Sequence, residues 1–206
     1  QALPDWVHVP PSAEPDPPRP LAPSRPSDEE PPTLLPFGTN NGARFRRARL
    51  IHRLLQSLPD IATADRANAA RRFLLRPVHG LGLEEAAEIA AETIAVLDHP
   101  EHAALFGSGS RAEVPLAGAI ADRVIAAQVD RLLVTASDVT IVDYKTNRPP
   151  PRDVEAVPVV YLTQMAAYRA LLTRIYPHHQ IRCLLLWTDG PRLMTLPGAL
   201  LDAHTP

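Results

Sequence analysis

Cysteine and lysine are nearly missing from this chain: its 206 residues include one of each, Cys183 and Lys145. A single cysteine excludes a disulfide framework and any Cys-rich zinc or iron–sulfur site, so no iron–sulfur cluster is expected. No apolar run approaches the ~20 residues needed to span a bilayer, so no membrane partner is expected. Net charge is only −2, which excludes a histone-like or polybasic protein while leaving room for local basic patches. No Gly-x-x-x-x-Gly-Lys-Ser/Thr segment exists, so the chain is not expected to bind or hydrolyse a nucleotide through a phosphate loop. The start Gln1-Ala2-Leu3-Pro4 has neither an initiator methionine nor a basic-then-apolar signal pattern. The expectation is a soluble, cytoplasmic piece of something longer.

What the chain does contain is unevenly spread. Hydrophobic residues make up 45%, enough for the core of one ordinary domain. Twelve of the 24 prolines fall within residues 1–36, between Ser, Asp and Glu. Residues 1–38 cannot bury enough apolar surface to offset ordering, and read as a disordered linker with polyproline II character. Of the 21 basic residues all but Lys145 are Arg. A compact ammonium retained where every other cation is a guanidinium fork suggests a position that needs its geometry and movable pKa.

Residues 39–206 have a different texture. Phe45, Ala48, Ile51, Leu55 and Leu58 recur at helical spacing until Pro59. A second helix is predicted over 63–75, with Thr63 as its N-cap, and a third over 83–97, with Glu84 and Glu85 in the first turn. Residues 106–110 are a turn. Strands are predicted over 111–116, 122–135 and 139–146, the last two joined by a hairpin at Ala136-Ser137-Asp138. A helix over 161–176 separates them from strands 181–187 and 192–196, the former a continuous apolar run suited to burial on both faces. The reading is α/β: N-terminal helices over 41–97, then a mixed central sheet flanked by helices over 110–206.

The densest chemical signal is Ile141-Val142-Asp143-Tyr144-Lys145-Thr146. Strand alternation puts Asp143 and Lys145 on one face and Tyr144 on the other. A carboxylate and an ammonium on an apolar strand are costly to bury without purpose, although alone they also describe a salt bridge near a sheet end. Asp130 lies on the preceding strand. If opposed residue numbers across the hairpin sum to 273, from either a two-residue or a four-residue loop, Asp130 faces Asp143 directly. Two carboxylates so placed repel unless a cation such as Mg²⁺ or Mn²⁺ sits between them.

Asp130 followed thirteen residues later by Asp143-Tyr144-Lys145 resembles the PD-(D/E)xK nuclease core, with its restriction-endonuclease-like fold. More narrowly, the chain resembles the C-terminal nuclease domain of bacterial AddA and RecB helicase–nucleases. His52 in Leu50-Ile51-His52-Arg53-Leu54 resembles that family's histidine helix, Glu113 the acid of its first strand, and Gln164-Met165-Ala166-Ala167-Tyr168 its Gln-x-x-x-Tyr helix. The resemblance implies Asp130, Asp143, His52 and the Tyr144 carbonyl as metal ligands, with Lys145 orienting or deprotonating the attacking water. It implies Glu113 as a second-shell or second-metal group, and Gln164 and Tyr168 as DNA contacts or braces. Arg49 and Arg53, in the basic run of the histidine helix, would steer phosphate. The implied activity is Mg²⁺-dependent DNA exonuclease action in double-strand-break repair. The implied partners are upstream helicase domains of the same polypeptide and an AddB-like subunit.

The resemblance has two departures. Glycine is expected four residues before His52 and three before Asp130, where this chain has Ala48 and Ala127. Alanine serves there unless the backbone needs a positive φ. Two other readings stand beside the main one: a free-standing nuclease of the same core, and a catalytically silent DNA-end-binding or docking module. The paired histidines His99/His102 and His178/His179 lack further ligands at zinc spacing.

Overall fold

Leu50, Ile51, Leu54 and Leu55 fall on one stripe of the first helix, Leu58 follows in the turn that ends it, and all five are buried. The computed structural model describes residues 41–120 and 123–205; the proline-rich segment 1–38 and residues 121–122 lie outside the described residues. Helix α1 spans Asn41–Ser57 and ends in a 3₁₀ turn, Leu58–Asp60, that contains Pro59. Helix α2 spans Thr63–Leu74. Its N-cap is Ala62, which offers no side-chain bond, so Thr63 is the first helical residue and not the cap. Helix α3 spans Leu83–Asp98 and carries Glu84 and Glu85 where the helix dipole favours them.

A 3₁₀ segment, Pro100–Phe106, leads to strand β1, Ser110–Ile120. This strand outruns the predicted 111–116, because its Ala/Gly-rich end pairs with β2 despite weak strand propensity of its own. Strand β2 spans Arg123–Val134, β3 Asp138–Lys145, helix α4 Val159–Ile175, β4 Gln180–Trp187, β5 Arg192–Leu196 and a short α5 Gly198–Asp202. The five strands run in sequence order through one sheet. Only β3 and β4 pair in parallel, joined by the α4 crossover, so the sheet is mixed.

Two cores lie on opposite faces. Ile141, Cys183, Leu185 and Trp187 pack with Leu162, Met165 and Leu172 of α4. Val142, Tyr144, Leu184 and Leu186 pack with Leu50, Leu54, Leu74 and Ile89 of α1–α3. Burial also pushes the Cys183 thiol up to about 12, leaving it a packing residue. Alternation along β3 therefore sends Asp143 and Lys145 toward α4 and Tyr144 toward α1.

Strand β2 departs from simple alternation. Ile125 and Val129 face the α4 core. Arg131 instead reaches the α1 side, where it donates to the Leu55 carbonyl at 2.9 Å, and Leu132 returns to the α4 core. The pleat thus slips by one residue at Asp130. Directly across β1 from that point, Glu113 has φ of 53°, the one non-glycine positive φ among the described residues. A left-handed glutamate costs about 1–3 kcal/mol, which surrounding pairing has to outweigh. Ala48 and Ala127 need no such conformation, so their lack of glycine is tolerated.

Candidate active site

The β2–β3 hairpin has the register that sums to 273: Arg131 pairs with Val142, Leu132 with Ile141 and Leu133 with Thr140. The ladder stops there. Asp130 and Asp143 do not form the expected opposed pair; instead Asp130 Oδ2 accepts the Tyr144 N–H at 2.7 Å. The slip at Asp130 explains the difference, because it swings this carboxylate toward α1. There Asp130 Oδ1 lies 3.3 Å from His52 Nδ1. The His52 ring also meets the Tyr144 ring edge-on, with centroids 5.4 Å apart.

Asp143 leans the other way. Its Oδ2 is 2.7 Å from Lys145 Nζ, and its Oδ1 accepts from the Gln164 amide at 2.9 Å. Gln164 Oε1 in turn accepts from Lys145 Nζ at 2.9 Å, closing a buried triangle. The same Gln164 amide donates to Tyr168 Oη at 2.8 Å, and Tyr168 reaches the Gln128 carbonyl on β2 at 3.3 Å. Helical spacing of four puts Gln164 and Tyr168 on one face of α4, which is why one amide can serve both. Gln164 is buried and Tyr168 is fully so, so both brace the site from within.

Apart from Tyr168, which lies behind Gln164, these residues line one cleft of about 790 Å³ between α1 and α4. Asp130, Asp143, Lys145 and Gln164 line it together with His52, Glu113, Arg49 and Arg53. Arg49 and Arg53 are exposed on the α1 wall, and Arg53 also holds Gln56 at 2.6 Å. Glu113 stands half-buried at the β1 rim. Arg72 and Arg76 open on a separate cavity beside α2.

Electrostatics divide the two acids. Burial alone would raise Asp130, but the facing His52 and the Tyr144 N–H outweigh it and hold its pKa below the usual value. Burial would lower His52, and Asp130 reverses that, so the imidazole lies above 6.5. Asp143 is raised, chiefly by burial, with Lys145 opposing and Asp130 adding to the rise. Burial likewise works against the Lys145 ammonium, yet Asp143 beside it keeps its pKa above 10.5. Glu113 is raised by burial and by Asp130.

Whether these residues suit a divalent cation can be tested on the donor set. Asp143 Oδ2 is buried and receives no hydrogen bond, despite its ion pair with Lys145. An orphaned carboxylate oxygen beside a second carboxylate and an imidazole is the oxygen-rich, nitrogen-supplemented chemistry that Mg²⁺ or Mn²⁺ accepts. Among the described residues, no three His, Cys, Asp or Glu side chains are grouped tightly enough to hold a metal as they stand. The donors fit in kind. Their assembly requires the His52–Asp130 and Lys145–Asp143 contacts to loosen.

Sequence reasoning missed four supporting residues. Tyr161 puts its ring 3.8 Å from Lys145 Nζ, and its position three residues before Gln164 was an available signal. Asn147 accepts from Tyr161 Oη at 3.0 Å. Arg131, buried, donates to Tyr144 Oη at 2.9 Å and lies over the Phe106 ring. Glu92 of α3 gathers Arg47, Arg148 and Thr188 and so ties α1 and α3 to the ends of β3 and β4. The last two depend on contacts between elements distant in sequence and left no local trace. His102, by contrast, is a buried residue held by the Val96 carbonyl at 2.8 Å and stacked on His99. Among the described residues no helix is long and apolar enough to cross a membrane.

Comparison with known proteins gives a family and a fold. The family model described as the PD-(D/E)XK nuclease superfamily matches residues 39–195. No curated protein matches the chain. A crystal structure of a candidate exonuclease from Eubacterium rectale superposes with a TM-score of 0.50 at 15% identity. That match covers 77% of this chain and 62% of the Eubacterium protein. The crystal structure of SSO0001 matches with a TM-score of 0.33 at 13% identity, over 79% of this chain and 82% of that one.

Proposed function

The chain belongs to the PD-(D/E)XK nuclease superfamily, and from that premise we propose that it is a metal-dependent deoxyribonuclease hydrolysing phosphodiester bonds at the α1–α4 cleft. The observation that carries the reading is the convergence of Asp130, Asp143 and Lys145 on one cleft, with His52 opposite. Asp130, Asp143, His52 and the Tyr144 carbonyl would hold the cation, which when bound supplies Lewis-acid charge against the phosphate.

The chain's own residues do the rest. Lys145, fixed by Asp143 and Gln164, presents an ammonium N–H to the attacking water and to the charge that develops on phosphate. Gln164 keeps that amine and the Asp143 carboxylate in one orientation, and Tyr168 anchors Gln164 to β2. Arg49 and Arg53 offer phosphate contacts on the cleft wall, where a charged strand would enter. Glu113 stands at the rim, within electrostatic reach of Asp130, suited to hold a second cation or to orient its water.

The finer reading is an exonuclease domain of an AddA-like helicase–nuclease, acting with upstream helicase domains and an AddB-like subunit in double-strand-break repair. Its support is the ordered set His52, Glu113, Asp130, Asp143-Tyr144-Lys145 and Gln164-x-x-x-Tyr168. The proline-rich segment 1–38 would be the tether and residues 39–206 the nuclease domain.

The test is cleavage of linear DNA in Mg²⁺ by the wild type and by Asp143→Ala. Wild-type cleavage, and its loss in the variant with DNA binding retained, is the expected result. Unchanged degradation by the variant overturns the site. Wild-type binding without cleavage in Mg²⁺ or Mn²⁺ moves the chain to the silent end-binding reading.

A further inference from the structure

Lys145 Nζ donates to Gln164 Oε1 at 2.9 Å and stands in an ion pair 2.7 Å from Asp143 Oδ2. On a further side lies the face of Tyr161, whose ring centroid is 3.8 Å from Nζ. That is well inside the ~6 Å at which an ammonium is attracted by an aromatic quadrupole. We propose that Tyr161 is a positioning residue for Lys145: its ring face holds the amine at the cleft floor while leaving an N–H direction that a phosphate oxygen or water can take over. The inference rests on the nuclease reading of that cleft.

Two contacts of the ring and one register relation argue that it is placed for this purpose. Tyr161 Oη donates to Asn147 Oδ1 at 3.0 Å, which pins the ring to the segment just after β3. Beside it lies Trp187, fully buried, with ring centroids 6.2 Å apart. Trp187 is also the register partner of Lys145 across β3–β4, so the same wedge touches both ends of one rung of the sheet. The Tyr161 side chain is 2% exposed yet lines the cleft.

The choice of a ring over a third oxygen has a chemical consequence. A carboxylate in that place would take up a further N–H bond and add another negative charge where a phosphate has to arrive. A π face attracts the cation more weakly and carries no net charge. Incoming anionic oxygen therefore competes with the ring on favourable terms, while water is kept from the amine's flank.

Lys145 is the chain's one lysine, so selective labelling of lysine Cε gives a single side-chain resonance. In the wild-type domain that Hε signal is expected upfield of free lysine, from the Tyr161 ring current. Tyr161→Phe keeps the shift and Tyr161→Leu removes it. A wild-type resonance at the free-lysine position, or a shift that survives in Tyr161→Leu, overturns the proposal. In cleavage, Tyr161→Leu lowers kcat about tenfold with KM unchanged, and Tyr161→Phe restores it. A KM effect with kcat intact makes Tyr161 only a wall of the cleft and also overturns the proposal. Should the wild type cleave no DNA, the nuclease reading falls, and the resonance still decides the Tyr161–Lys145 contact.

Discussion

His52 Nδ1 and Asp130 Oδ1 stand 3.3 Å apart, an imidazole of α1 against a carboxylate of β2. Asp130 overcomes burial and raises the His52 pKa above 6.5. A base whose folded-state pKa is raised contributes stability that is complete below its unfolded value and lost as pH rises through the folded one. In EDTA, the stability gap between wild type and His52→Ala is therefore larger near ~pH 6 than near ~pH 9. Urea denaturation at the two pH values measures it, and an equal gap at both would falsify the ion pair.

Removing the ammonium exposes what it neutralises. Lys145→Met leaves Asp143 buried beside Asp130, and breaking a buried pair this way costs about 3–5 kcal/mol. Thermal melts in EDTA should show that loss at neutral pH. Added Mg²⁺ should then stabilise Lys145→Met more than wild type, because a cation takes over the missing charge. Equal Mg²⁺ shifts in the two proteins would argue that the acids hold no cation.

Gln164 joins three partners through one amide. Gln164→Ala leaves those buried groups short of bonds, at about 1–3 kcal/mol. It also frees the amine and carboxylate to drift, lowering kcat by roughly 10–100-fold if the site holds metal. Tyr168→Phe removes a more distant bond and should cost about 1 kcal/mol with a smaller rate effect. A rate loss in Tyr168→Phe equal to that in Gln164→Ala would contradict this ordering.

Glu92 sits far from the chemistry but holds Arg47, Arg148 and the Thr188 hydroxyl. Its side chain is 7% exposed, so Glu92→Ala strands the Arg47 guanidinium, while Arg148 keeps Asp189 at 3.5 Å, and should lower the urea midpoint by the equivalent of about 2 kcal/mol. A shift within the scatter of surface substitutions would mean that the cluster is ornamental.

Particular residues show how far the sequence could be read. The Asp143–Lys145 face, the hairpin register and the apolar β4 followed from alternation and turn chemistry, which are local rules. The mixed sheet with helices on both sides followed from element order. What escaped depended on one strand misbehaving: no local signal marks Glu113 for a left-handed φ or Asp130 for a slipped pleat. The opposed Asp130–Asp143 pair was therefore expected and does not form. Tyr161 was read only as the first residue of the helix over 161–176, because its partner Lys145 lies on another element. Thr63 looked like a cap, yet the helix begins on it, and Ala62 needs no side-chain bond at a solvent-facing end.

The slipped pleat has a mechanical corollary. An ordinary strand speaks to one helix layer with its odd residues and to the other with its even ones. By changing parity at a single position, β2 makes two consecutive side chains report to the same layer: Asp130 meets His52 and Arg131 grips the Leu55 carbonyl, both on α1, while Val129 and Leu132 on either side seat under α4. The α1 wall of the cleft is thereby tied to β2 at two adjacent residues, so any load that shifts α1 is felt at once by the Asp130 carboxylate and the Arg131 guanidinium.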